Sequence, residues 1–244
     1  MIPLRNLSSR HWSGPLTALL SAALFGASTP LAKLALGQGV DPWLLAGLLY
    51  LGSGIGLGLT LAAQRVFDKH RVEAPISRGD WFWLALVIAF GGVAGPLLLM
   101  IGLSQTPASS AALLLNVEGL ATMAIAWIVF KESVDRRLLA GALAILAGAA
   151  LLSWRGGPQG VGLGAFAIVG ACLAWAIDNN LTRKLSASDP VQIATLKGLA
   201  AGLVNFALAL LFGARLPPPL SVAGAAMIGF LGYGVSLVLF VQAL

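Results

Sequence analysis

The feature that most constrains this chain is a long stretch without charge. From Trp81 to Val117 there is no Asp, Glu, Lys or Arg, and only Ser104-Gln105-Thr106-Pro107 breaks the apolar run. A helix rises about 1.5 Å per residue and a bilayer core is about 30 Å thick, so about 20 apolar residues cross it. The run therefore holds two crossings joined by a tight turn. Trp12 to Ala32, Pro42 to Gln64, Leu138 to Trp154, Gly156 to Ile177 and Leu216 to Leu244 are likewise uncharged. Eight spans are expected, at about 15–35, 43–63, 81–103, 108–130, 138–154, 161–182, 190–212 and 220–243. Barrel strands would alternate apolar and polar residues over about 10 positions. These runs are apolar on all sides, so the fold class is an all-α, polytopic helical bundle in a membrane.

Composition agrees. Of 244 residues, 58% are hydrophobic and 10% charged, against about 25% charged in a soluble domain. The net charge of +6 does not indicate nucleic acid, because the basic residues fall in short loops between spans. With the N-terminus placed in the cytoplasm, Arg5, Arg10, Arg65, Lys69, Arg71, Arg78, Lys131, Arg136, Arg137, Arg183 and Lys184 are inside, and only Arg155 and Arg215 are outside. Lys33 sits near the outer end of span one and Lys197 within span seven. That bias sets the expected orientation, with both ends of the chain cytoplasmic. The first span is too long for a signal-peptide core and is read as a retained helix. Cys172, the single cysteine, is small packing material within a span.

An internal repeat is visible. Asp41-Pro42 opens span two and Asp189-Pro190 opens span seven, and Gly54 aligns with Gly202 in that register. Phe90 and Gly92 of span three match Phe230 and Gly232 of span eight. An offset of five spans is odd, so the second copy is inverted in the membrane. The repeat divides the chain into 1–154, a first five-helix unit, and 155–244, an incomplete second unit. Five plus five makes ten spans. On this alignment Leu244 falls near Ser104, so two further helices are expected to be missing, and the chain reads as part of a longer protein.

These residues resemble the drug/metabolite transporter superfamily, in particular its EamA-type members. The resemblance rests on Leu24-Phe25-Gly26-Ala27-Ser28-Thr29-Pro30-Leu31-Ala32-Lys33 in span one and on Ala126-Trp127-Ile128-Val129-Phe130-Lys131-Glu132 at the exit of span four. Gly141 and Gly148 of span five fit as well, and so does Trp175-Ala176-Ile177-Asp178-Asn179-Asn180-Leu181-Thr182-Arg183-Lys184 in span six. The resemblance implies a ten-helix inverted repeat, a central cavity, alternating access, and substrates among amino acids, other metabolites and toxic compounds.

Polar residues inside spans are the candidates for the site. Glu118 lies near the middle of span four, where a bare carboxylate is costly unless protonated or paired, and a proton-coupled role follows; the structural alternative is a fixed hydrogen bond. Asn116, two residues earlier, points about 200° away around an ideal helix and is expected to bond another helix rather than share a pocket with Glu118. Asp178 in span six and Lys197 in span seven lie at equal depth in an antiparallel hairpin about Leu185–Asp189 and can pair, as a clamp or a gate. Asn179 and Asn180 either line the inner mouth of a cavity or mark the end of span six near Ile177. Trp175 is a candidate cavity wall, and Trp43, Trp81, Trp83 and Trp154 are expected at the interface. Gly52, Gly54, Gly56 and Gly58 form a packing stripe. Pro96, after Gly91, Gly92 and Gly95, should kink span three.

His11 and His70 lie outside the spans, and no metal-ligand spacing or phosphate-cradling loop occurs, so neither cofactor nor metal is expected and the chain does not read as an enzyme. The partners are a small organic solute and the lipid bilayer; a homodimer is compatible with the sequence. The function read from the sequence is a secondary carrier of the inner membrane. A channel or a membrane-embedded enzyme are the alternatives.

Overall fold

The computed structural model describes residues 13–67, 76–133, 135–153, 162–185 and 189–243. Arg5, Arg10, His11, Lys69, His70, Arg71, Trp154 and Arg155, on which part of the orientation rests, lie outside the described residues.

All regular structure among the described residues is helical. Span one is α1 (Ser13–Gly37) and span two is α2 (Pro42–Phe67). Span three is built from α3 (Asp80–Val87), a π-helical segment (Ile88–Ala94) and α4 (Gly95–Gln105). Span four is α5 (Ala108–Leu114) and α6 (Val117–Ile128), and span five is α7 (Arg136–Ser153). Spans six and seven are α8 (Leu163–Thr182) and α9 (Pro190–Leu211). Span eight is α10 (Pro219–Gly229), a second π segment (Phe230–Val235) and α11 (Ser236–Ala243). Seven of these units are long and apolar enough to cross a membrane on the described residues; the remaining one, span five, is helical as α7.

The two Asp-Pro pairs do the same local work. Asp41 Oδ1 accepts from the backbone N–H groups of Trp43 at 2.9 Å and Leu44 at 3.0 Å. Asp189 Oδ1 accepts from Val191 N at 2.7 Å. Each aspartate caps orphan donors of a first turn, and the following proline, with no N–H to lose, starts the helix.

Those two helices form the centre of the bundle. Helices α2 and α9 pack along most of their lengths. They touch backbone to backbone: a Cβ on Gly198 would lie 2.7 Å from Gly54 Cα, and one on Gly202 would lie 2.6 Å from Leu51 N. Small residues are what permits this approach where no hydrophobic force drives helices together. The register that sets Asp41 on Asp189 also sets Gly47 on Thr195 and Gly58 on Phe206. In the structure Gly47 abuts Phe206 and Gly58 abuts Thr195, so the same contact is made twice with its partners exchanged. Around this centre, span three packs chiefly on α8 and α9, and span eight on α1 and α2.

Span four departs from one continuous helix. Asn116 N bonds Leu113 O and Glu118 N bonds Leu115 O, both three residues back, and Asn116 Nδ2 folds onto Ala112 O and Leu113 O. The side-chain amide competes for helix carbonyls and the turn tightens. At its far end the chain leaves α6 through Lys131, whose φ is 57°.

Candidate functional site

The site begins with a missing hydrogen. Pro96 has no N–H, so Gly91 O (five residues back) and Gly92 O (four back) lose a helical donor in either a π or an α ladder. Three side chains from other spans supply the replacements. Tyr50 Oη donates to Gly91 O at 2.7 Å, and Trp175 Nε1 donates to the same oxygen at 3.0 Å. Asn205 Nδ2 donates to Gly92 O at 3.0 Å, and its Oδ1 accepts from Trp43 Nε1 at 3.2 Å. Asn205 is fully buried. The glycines here leave room: Cβ atoms at Gly91 and Gly95 would lie 2.6 Å from Lys197 Nζ and from Trp175 Nε1.

Against this window Lys197 Nζ pairs with Asp178 Oδ2, and Thr182 Oγ1 donates to Asp178 Oδ1 at 3.3 Å. Both charged groups are well buried, with side-chain exposures of 17% and 6%. The sequence places these two at equal depth in a hairpin, and the structure brings them together.

One residue further round α8, the polar side chains turn toward span four. Asn179 Nδ2 donates to Glu118 Oε1 at 3.0 Å and to Thr122 Oγ1 at 3.4 Å. Asn180 Nδ2 donates to Thr122 O at 3.1 Å and to Ala176 O at 2.8 Å. Helix α8 continues to Thr182, so Asn179 and Asn180 are helical and do not mark its end. Glu118 is part-buried and has no basic side chain within ion-pair distance among the described residues. It also opens onto a cleft of about 280 Å³ lined by Leu115, Asn116, Gly119, Leu120 and Ala142. No group of three or more His, Cys, Asp or Glu side chains that could hold a metal occurs among the described residues.

Two sequence readings change. Asn116 and Glu118 border one cleft, because the tightened turn between α5 and α6 removes the ideal helical angle that separates them. Asn116 also bonds its own helix rather than a neighbour. Trp175, expected as a cavity wall, is 6% exposed and donates to Gly91 O. Tyr50 and Asn205 escaped sequence reasoning. Asn205 was findable, since an amide in mid-span seven is the same signal that singled out Asn116; Tyr50 carried no such mark.

Residues 12–154 match the EamA-like transporter family. An "Uncharacterized transporter" of Methanothermobacter thermautotrophicus is 28% identical over 87% of this chain and 65% of its own length. A "Probable amino-acid metabolite efflux pump" of Salmonella typhimurium is 29% identical over 71% of this chain and 54% of its own. A "Probable 4-amino-4-deoxy-L-arabinose-phosphoundecaprenol flippase subunit ArnE" of Pseudomonas paraeruginosa is 40% identical over 45% of this chain and 92% of its own. The chain thus spans about two thirds or less of the two longer relatives. A solved protein structure aligns at a TM-score of 0.69 and 20% identity, covering 95% of this chain and 78% of that one, which is a likeness of fold.

Proposed function

The chain belongs to the EamA-like transporter family, and from that premise we propose that it forms the body of a secondary carrier for small organic solutes, working by alternating access and coupled to protons at Glu118. The observation that carries the coupling is the state of that carboxylate. Inside a membrane helix, an acid is kept only when its charge is answered or removed. Asp178 is answered by Lys197. Glu118 receives a neutral amide from Asn179 and stands on an open cleft. No basic side chain among the described residues answers its charge, and a proton is the simplest answer.

Alternating access is supported by the repeat. An inverted repeat lets the two halves exchange conformations about a fixed centre. The exchanged contacts of α2 and α9 support such a centre. So do the π segments in spans three and eight, which overlap the stretches aligned by Phe90 with Phe230 and Gly92 with Gly232. The proposed units are 1–154 and 155–244, in an inner membrane with the N-terminus cytoplasmic. The efflux-pump relative favours outward movement of the solute.

The test is solute flux by the complete protein in vesicles, with and without an imposed proton gradient, across a panel of metabolites. Gradient-dependent flux that disappears in Glu118→Gln is the expected result. Flux in that variant with an unchanged pH dependence would remove Glu118 from coupling, and no flux for any solute would return weight to a channel.

A further inference from the structure

One glycine in the stripe of α2 serves no close approach. A Cβ at Gly52 would lie 2.2 Å from Ala226 O, one at Gly54 2.4 Å from Leu199 N, and one at Gly56 2.0 Å from Phe230 Cδ2. At Gly58 the one atom met is Thr195 Cγ2 at 3.5 Å, an ordinary contact. Glycine weakens a helix interior relative to alanine, and no tight packing accounts for it here. What Gly58 leaves is a cleft of about 260 Å³, lined with it by Leu61 and Ala62 of α2 and by Gln192, Thr195 and Leu196 of α9. On the register that sets Asp41 on Asp189, the counterparts of Gly58 and Gln192 are Phe206 and Leu44. Leu44 is fully buried, and Phe206 packs against the same core. The other end of the helix pair is thus filled with apolar side chains where this end has an opening and an amide. That amide is idle. Gln192 Oε1 is shut away from solvent with no hydrogen-bond partner among the described residues. The other polar side chain on the wall, Thr195, already donates its hydroxyl hydrogen to Val191 O at 2.7 Å. A polar group left unanswered in a membrane helix is costly.

We propose that this cleft binds an uncharged hydroxyl carried on an apolar body, with Gln192 as its hydrogen-bonding partner. None of the lining residues is charged, so an ion entering it would lose water without an answering charge. A hydroxyl both donates and accepts, and a carboxamide does the same. A half turn about the last side-chain bond exchanges the amide oxygen and nitrogen, and a hydroxyl answers either one. Leu61, Ala62 and Leu196 give the body an apolar wall. The cleft is close to the lower end of small-ligand pockets, about 300 Å³, which suits a short chain or one end of a longer one. Gln192 to Leu196 lie about 3–9 Å along α9 from its start at Pro190, so the cleft sits near one face of the bilayer, where a membrane lipid or a dissolved solute can bring such a hydroxyl. The site involves neither Glu118 nor its cleft, and it does not depend on the carrier reading.

The experiment is photolabelling of the full chain in phosphatidylcholine nanodiscs with a hexanol that carries a diazirine on its chain, the labelled residues being mapped by mass spectrometry. Hexanol and methyl pentyl ether serve as competitors at matched concentrations in the bilayer. They share one formula, and only the alcohol has a hydrogen to donate. Saturable labelling of Leu61, Ala62 or Leu196 is expected, with hexanol displacing the label at about fivefold lower concentration than the ether. Gln192→Leu, which copies Leu44, should remove that difference. Gly58→Leu should fill the cleft and abolish the labelling. Labelling that does not saturate overturns the proposal, and so does equal displacement by alcohol and ether, or undiminished labelling of a Gly58→Leu chain that retains its helical circular dichroism. Should Gly58→Leu fail to fold, the alcohol–ether comparison in Gln192→Leu decides alone, and a difference that persists there removes Gln192 and the proposal with it. Dioctanoylglycerol carries the same hydroxyl on a lipid. Stronger displacement by it than by hexanol makes the ligand a membrane lipid and weaker displacement makes it a free solute; both support the site.

Discussion

Spans three and eight both pass through a π segment, at Ile88–Ala94 and Phe230–Val235, and they are held in different ways. The first is gripped by polar side chains from spans two, six and seven, with the Asp178–Lys197 pair against its glycines. The second is held mainly by packing, with one side-chain bond inside its own span and one from span one. Ser236 Oγ bonds Gly232 O within its own span, Ser21 Oγ donates to Ser236 O at 2.6 Å, and the ring of Phe25 meets Tyr233 edge-on at 5.8 Å. Pro96 is one cause of the difference. It strips donors from span three and so creates a demand for side chains, while no proline follows the second segment within α11. The segment in span three is thus held chiefly by side-chain hydrogen bonds from other spans, and the one in span eight chiefly by packing.

The largest test of this difference is the ion pair. Asp178→Ala or Lys197→Ala leaves a buried charge unanswered and should destabilise the protein by about 3–5 kcal/mol. Replacing both by Leu should cost less than either single change, because no charge is left over. Unfolding in micelles, followed by circular dichroism, measures both. A double variant no better than the singles would show that the pair does not act as a unit.

Next comes the glycine window. A methyl group at Gly91 would overlap Asp178 Oδ2, so Gly91→Ala should cost about 1–3 kcal/mol by overpacking. Gly224→Ala in span eight has open space around its Cβ and should be neutral or slightly stabilising, since alanine is the better helix former. Equal loss at both positions would mean that the overlap with Asp178 is not what makes Gly91 costly to replace.

The sequence made much of this legible, for identifiable reasons. Apolar length gave the spans, because hydrocarbon thickness is a fixed ruler. The Asp-Pro pairs gave two helix starts, and equal depth in a hairpin brought Asp178 to Lys197. Geometry set by a local exception was not legible. The polar grip on the π segment in span three depends on Pro96 acting together with Tyr50, Trp175 and Asn205, three side chains far apart in the chain. The break at Asn116 depends on a side chain choosing its own carbonyls, which no helical wheel foresees. That same break moved Asn116 beside Glu118.

Asn205 offers a smaller and sharper probe. It is needed because Pro96 cannot donate to Gly92 O. Asn205→Leu should cost about 1–3 kcal/mol through the unsatisfied carbonyl and the lost Trp43 contact. In a Pro96→Ala background the backbone regains an N–H, and the same change should cost measurably less. The two changes should therefore be non-additive in a double-mutant cycle. Strict additivity would detach Asn205 from the proline and leave the polar grip on span three without its cause.

The smallest effect is expected at Tyr50. Gly91 O accepts from two donors at once, Tyr50 Oη and Trp175 Nε1. Tyr50→Phe removes one and leaves the oxygen satisfied by the other, so no buried acceptor is orphaned. The cost should stay near the average for a hydrogen bond between membrane helices, about 0.6 kcal/mol. Trp175→Phe alone should behave in the same way for that oxygen, with an added loss of packing against Gly95. Only with both changes does Gly91 O lose every side-chain donor, and the combined cost should then exceed the sum of the two. Additive losses would mean that the two donors are not redundant. The span-three segment would then rest on shape and packing, as its counterpart in span eight does.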